Sequence, residues 1–123
     1  MIRPKRSYPE HALQVSIVDA LRLLLPPVWR VVASTNGGRR TPWAATRSIR
    51  AGELPGFPDL QVIGPDKILF IEVKSKNGTV SPEQKLIHAW LEKCGFPVAV
   101  VRDLDHALSF LAANEVPIRR RGA

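Results

Sequence analysis

Residues 57–74, Phe-Pro-Asp-Leu-Gln-Val-Ile-Gly-Pro-Asp-Lys-Ile-Leu-Phe-Ile-Glu-Val-Lys, constrain the fold more than any other stretch of the 123-residue chain. Gly64-Pro65-Asp66-Lys67 has the composition of a tight turn, with proline at the second position, where its fixed φ suits the turn. The flanking runs are rich in β-branched and aromatic residues. A hairpin centred on this turn pairs residues whose numbers sum to 131, so Ile63 faces Ile68, Gln61 faces Phe70 and Asp59 faces Glu72. Strand side chains alternate between faces. Leu60, Val62, Leu69, Ile71 and Val73 therefore form one apolar face, which must be covered. Asp59, Gln61, Phe70, Glu72 and Lys74 lie on the other.

The covering elements are legible on either side. Leu13, Ile17, Ala20, Leu21 and Leu24 recur at helical spacing and predict a helix over Pro9–Leu24. Ser7 is its expected cap, with Glu10 at capping-box spacing, and Pro26-Pro27 ends it. Val28–Ser34 reads as a strand. Residues 35–55 read as a long loop in which a short helix around Ala44–Arg50 fits. Ser81-Pro82-Glu83-Gln84 opens another helix, with Leu86, Ile87, Trp90, Leu91 and Cys94 as its expected buried stripe and Gly95 as its stop. Pro97–Arg102 reads as a strand. Asp103 or Asp105 caps a last helix that buries Leu104, Ala107, Leu108 and Leu111. The crossover from the hairpin to 97–102 makes that strand parallel to 68–74. The expected fold is α/β: a mixed four-stranded sheet flanked by helices, in the order α-β-β-β-α-β-α. One domain spans 1–123, with a basic arm at 1–8 and a basic tail at 114–123.

Charge narrows the partner. Lys and Arg number 18 against 11 Asp and Glu. Residues 1–50 hold nine basic and two acidic residues, whereas 51–118 hold six and nine, and 119–121 are all arginine. A basic half and a basic tail around a slightly acidic centre suit a polyanion, most simply nucleic acid. Arg39, Arg40, Arg47 and Arg50 fall in one acid-free stretch with Trp43 among them, and Lys76 follows the hairpin; these are the expected nucleic-acid contacts. One cysteine, Cys94, excludes an internal disulfide framework and a cysteine-based zinc site. No apolar run is long enough to span a membrane, and no secretory signal is apparent, so a cytoplasmic protein is expected.

Asp59 and Glu72, opposed on one face, cannot both stay ionised at close range without a cation between them. Two carboxylates suit a hard ion such as Mg²⁺. Lys74, two residues past Glu72, shares their face and can orient a water or stabilise charge on phosphate. A lone Glu-x-Lys on a solvated strand is ordinary. Pro58-Asp59, the turn-centred register, Glu72 and Lys74 together read as PD-(D/E)-x-K, the metal-dependent nuclease signature. His11, His88 and His106 are scattered over three helices and read as surface or capping residues. Trp29, Trp90 and Cys94 read as buried. Trp43 is open to base stacking or to a distorted strand end.

Gly-Phe-Pro-Asp-Leu, Ile-Glu-Val-Lys-Ser, Gly-Thr-Val-Ser-Pro-Glu-Gln-Lys and Val-Ala-Val-Val-Arg, in this order, resemble the VRR-NUC family of virus-type replication–repair nucleases over about Glu10–Leu111. The resemblance implies a restriction-endonuclease-like fold and phosphodiester cleavage with Mg²⁺ or Mn²⁺. It implies Asp59 and Glu72 as metal ligands and Lys74 as catalytic lysine. It adds Glu10 to the site as a ligand, with Gln14 as its partner, and Gln84 from the second long helix. Glu10 and Gln84 also have a purely capping reading. The expected activity is cleavage of structured or branched DNA by a homodimer in a bacterial or phage-infected cell. A sequence-specific restriction-type enzyme and a non-catalytic DNA-binding module are the alternatives.

Overall fold

The computed structural model describes residues 8–34 and 41–119. In chain order these form α1 (Tyr8–Leu24), β1 (Arg30–Ala33), α2 (Pro42–Arg50), β2 (Leu60–Gly64), β3 (Lys67–Val73), α3 (Pro82–Lys93), β4 (Val98–Val101) and α4 (Leu104–Ala113). The sheet order is β1-β2-β3-β4. The first two neighbour pairs are antiparallel and β3-β4 is parallel. The mixed four-stranded sheet expected from the sequence is thus present. The 35–55 stretch adds one element to the expected order, the nine-residue α2. Thr41 caps it by accepting from the Ala44 N–H at 3.1 Å, and Pro42 opens it.

The hairpin has the expected register, from Leu60↔Ile71 through Ile63↔Ile68 to Gly64↔Lys67. Pro65 and Asp66 form its turn, and Asp66 takes a φ of 60°, as the third position of a type II turn demands. The apolar face is wholly buried: Leu60, Val62, Leu69, Ile71 and Val73 are each at most 1% exposed. It joins Ile17 and Leu21 of α1 and Ala107 and Leu111 of α4 in one core cluster. Burying each large aliphatic side chain there contributes about 1.5–3 kcal/mol.

The chain after α4 turns back onto α1. Val116 is buried, and the Arg119 N–H donates to the Leu24 carbonyl at 2.8 Å. The described part of the expected basic tail is therefore packed against the domain.

The second sheet face departs from expectation. Phe70 is buried there, with Phe57 and Phe96 set edge-on to its ring at 5.4 and 5.7 Å between centroids. Helix α3 covers the neighbouring Glu72, but not with the predicted stripe. Leu86 is 73% exposed and Trp90 50%, and Cys94 is exposed as well. The inward positions are Gln84, Ile87, His88 and Leu91, which also recur at helical spacing. The helix is rotated from the apolar pattern because its inner face meets a carboxylate as well as hydrocarbon. Trp29, by contrast, is buried as expected.

Candidate functional site

The site forms where the hairpin strands end opposite their turn. The paired residues stop at Leu60↔Ile71, and Asp59 stands next in register. Its backbone carbonyl accepts from the Ser34 N–H at 2.8 Å, tying it to the end of β1. Its Oδ2 accepts from the Val73 N–H at 2.8 Å, so the carboxylate itself continues the connection to β3. Asp59 is thereby held beside the end of the strand that carries Glu72. Gly56, at φ +85°, lets the preceding turn pass against α3: a Cβ there would lie 2.9 Å from the Glu83 carbonyl oxygen. This contact sets the Pro58-Asp59 segment beside the start of α3.

Glu72 is 2% exposed, a degree of burial that a carboxylate tolerates only with partners. Gln84 Nε2 donates to its Oε2 at 3.2 Å, and Lys74 Nζ lies 4.0 Å from the same oxygen. His88 Nε2 faces Oε1 at 3.4 Å. Gln84 also caps α3. Its Oε1 accepts from the Ser81 N–H at 2.9 Å, while the Ser81 hydroxyl accepts from the Gln84 N–H at 3.1 Å. The capping reading and the site reading of Gln84 are therefore both satisfied by one side chain.

The turn after Lys74 is gripped from two sides. Glu10 of α1 accepts from the Ser75 N–H at 3.3 Å. Arg102, just past β4, donates from Nη1 to the carbonyls of Ser75 at 2.6 Å and Gly78 at 2.7 Å. The Lys74 N–H donates to the Val101 carbonyl at 3.0 Å. Lys74 thus projects from backbone that β4, α1 and Arg102 hold in place. Gln14 lies one turn beyond Glu10 on α1 and is half-buried.

His88 is the residue that sequence reasoning missed. It is buried where a surface or capping role was expected, because α3 turns position 88 toward Glu72. Its pKa is lowered from 6.5, chiefly by burial. Glu92 opposes the shift, Lys74 adds to it and Asp59 opposes it. The signal available in the sequence was its spacing of four from Gln84, which puts both on one helical face. His11 and His106 are exposed, as expected.

Among the described residues, no group of three His, Cys, Asp or Glu side chains is arranged to hold a metal. Asp59 and Glu72 supply oxygen donors at adjacent strand ends, which fits a hard ion that completes its shell with water and substrate phosphate. Glu10, expected as a third ligand, reaches the Ser75 turn with the same carboxylate.

Of the expected nucleic-acid contacts, Arg47, Arg50 and Lys76 are exposed, and Arg39 and Arg40 lie outside the described residues, as does the Ser7 cap. Helix α2 has no buried residue. Trp43 is exposed, with the Arg47 guanidinium 4.6 Å from its ring centroid, so it stacks on an arginine and is part of no strand. No described helix is long and apolar enough to cross a membrane.

The architecture places the chain among α/β domains with a mixed sheet whose central hairpin presents acidic residues at its open end. The VRR-NUC domain model matches residues 9–103, and the chain belongs to that nuclease family. A solved structure of a VRR_NUC domain protein shares the fold, with a TM-score of 0.65 and 22% identity, over 87% of this chain and 88% of that one. No curated protein matches the chain.

Proposed function

We propose that this chain is a metal-dependent DNA endonuclease that hydrolyses phosphodiester bonds in structured or branched DNA. The observation that carries the reading is the buried Glu72 carboxylate, partnered by Gln84, Lys74 and His88 beside Asp59. A carboxylate 2% exposed at an open strand end is an expensive feature for a surface to keep without chemistry to perform.

Asp59 and Glu72 would hold Mg²⁺ or Mn²⁺, which when bound activates water and neutralises phosphate charge. Lys74 directs its ammonium toward the same region and stabilises the charge that builds on the phosphate oxygens during in-line attack. Gln84 keeps Glu72 oriented. The exposed Arg47, Arg50 and Lys76, with Arg39 and Arg40, contact the DNA backbone. No element of the chain reads as a base-reading motif, which favours recognition by DNA shape. Paired incisions on a two-fold branched substrate need two sites related by symmetry, and a homodimer supplies them.

The test is cleavage of labelled linear, flap, fork and four-way-junction DNA with Mg²⁺, Mn²⁺ or EDTA, with sedimentation of the protein alone and on junction DNA. Metal-dependent cutting that favours branched substrates supports the reading. Discrete fragments from a plasmid panel point to a sequence-specific enzyme. Binding without cutting under every metal overturns catalysis.

A further inference from the structure

We propose that His88 is a positioning residue that fixes the second oxygen of the Glu72 carboxylate for metal binding. The inference rests on the metal-dependent reading of the site. Gln84 and His88 stand four residues apart on the inner face of α3 and address different oxygens of one carboxylate. Gln84 Nε2 meets Oε2 at 3.2 Å, and His88 Nε2 faces Oε1 at 3.4 Å. One rigid helix therefore controls both oxygens, and with them the plane of the carboxylate.

The residue type supports the same role. Position 88 is one of the two buried positions of α3, with Leu91, where an aliphatic side chain would pack without desolvating a polar ring. The buried Nε2 makes no hydrogen bond, and the polar group it faces is the Glu72 carboxylate, with Oε1 at 3.4 Å, an approach that a small tightening turns into one. His88 faces an oxygen of Glu72, so its effect on a metal held by that carboxylate passes through Glu72. Ligating carboxylates depend on such outer partners, whose removal typically weakens metal affinity by about 10- to 100-fold.

The experiment is titration of the full chain with Mn²⁺ alone, without DNA. Calorimetry and the electron paramagnetic resonance signal of free Mn²⁺ give the Kd for wild type, H88L, H88M and H88Q, and melting in EDTA confirms folding. Leucine and methionine fill the site without a donor; two shapes are used so that one misfolded variant does not end the test. Glutamine restores an N–H donor at similar reach. The expected result is a Kd about 10- to 100-fold weaker for the apolar variants and within about threefold of wild type for H88Q. An apolar variant that folds and binds Mn²⁺ like wild type overturns the inference and leaves the metal reading intact. Equal weakening in H88Q and H88L also overturns it, since the donor then has no role. A wild type that binds no Mn²⁺ removes the metal reading itself, and this inference with it.

Discussion

Glu10 and Ser75 meet across 65 positions of sequence: the Glu10 Oε2 accepts from the Ser75 N–H at 3.3 Å and lies 3.5 Å from its hydroxyl. Gly78 makes room for this contact, since a Cβ there would lie 2.6 Å from the same carboxylate oxygen. Glu10 in this arrangement anchors the turn that follows Lys74. Glu10→Gln retains an acceptor and is expected to keep most of the wild-type cleavage rate, whereas Gly78→Ala is expected to lower it by displacing the anchor. Glu10→Ala is expected to cost ~1 kcal/mol in urea unfolding. If Glu10→Gln loses as much activity as Glu72→Gln, Glu10 is a ligand and the anchoring account is wrong.

Lys74→Ala and Glu72→Gln are expected to reduce single-turnover cleavage by ~10²–10³ or more, with DNA affinity retained. Both side chains lie at one buried carboxylate, at 4.0 Å from each other. Gel-shift and cleavage assays on the same labelled substrate separate the two effects. Wild-type cutting by Lys74→Ala under matched metal would remove its catalytic role.

Arg47 and Arg50 are exposed on α2, a helix with no fully buried residue, and so are open to a polyanion. The double substitution to alanine is expected to weaken DNA binding and flatten its salt dependence. Each phosphate contact contributes about −0.9 to the slope of log K against log salt on duplex DNA, so the change is at most about two units. Fluorescence anisotropy over a salt series measures it, and an unchanged slope places the DNA elsewhere.

His88 makes the metal-free protein sensitive to acid. Burial lowers its folded-state pKa below 6.5, so the unfolded chain binds more protons at this position. Its contribution to stability is fully present above pH 6.5, is lost as pH falls from there through the lower folded-state value, and then levels off. The loss approaches about 1.4 kcal/mol per unit of pH. Urea unfolding in EDTA between pH 7.5 and 5 should show this slope in wild type and a shallower one in His88→Leu.

The hairpin was legible residue by residue because a tight turn fixes register and period two then assigns every side chain to a face. That placed Asp59, Glu72 and Lys74 at one strand end before any tertiary contact was known. Helix α3 was legible in position but not in rotation. Apolar periodicity selects Leu86, Trp90 and Cys94, yet the helix turns Gln84 and His88 inward to serve a buried acid, and no pattern of hydrophobicity encodes that. Glu10 was visible as a site residue, while its partner Ser75 depends on how α1 crosses the sheet, which is a long-range property. Arg102 escaped notice for the same reason, being at the end of a strand whose neighbours are set by a crossover.

Both helices that reach the site bring their first turns to it, α1 through Glu10 and α3 through Gln84, with His88 one turn further along α3. A helix start carries roughly half a positive charge in its aligned peptide dipoles and exposes unpaired N–H groups. The buried Glu72 carboxylate is therefore flanked by two positive poles made of main chain, which no side-chain substitution removes. Mobile ions screen exposed arginines over about 10 Å at 0.1 M salt but screen buried groups far less. Rising ionic strength should accordingly loosen the grip on DNA well before it slows turnover of substrate already bound, so affinity and rate part company along a salt series.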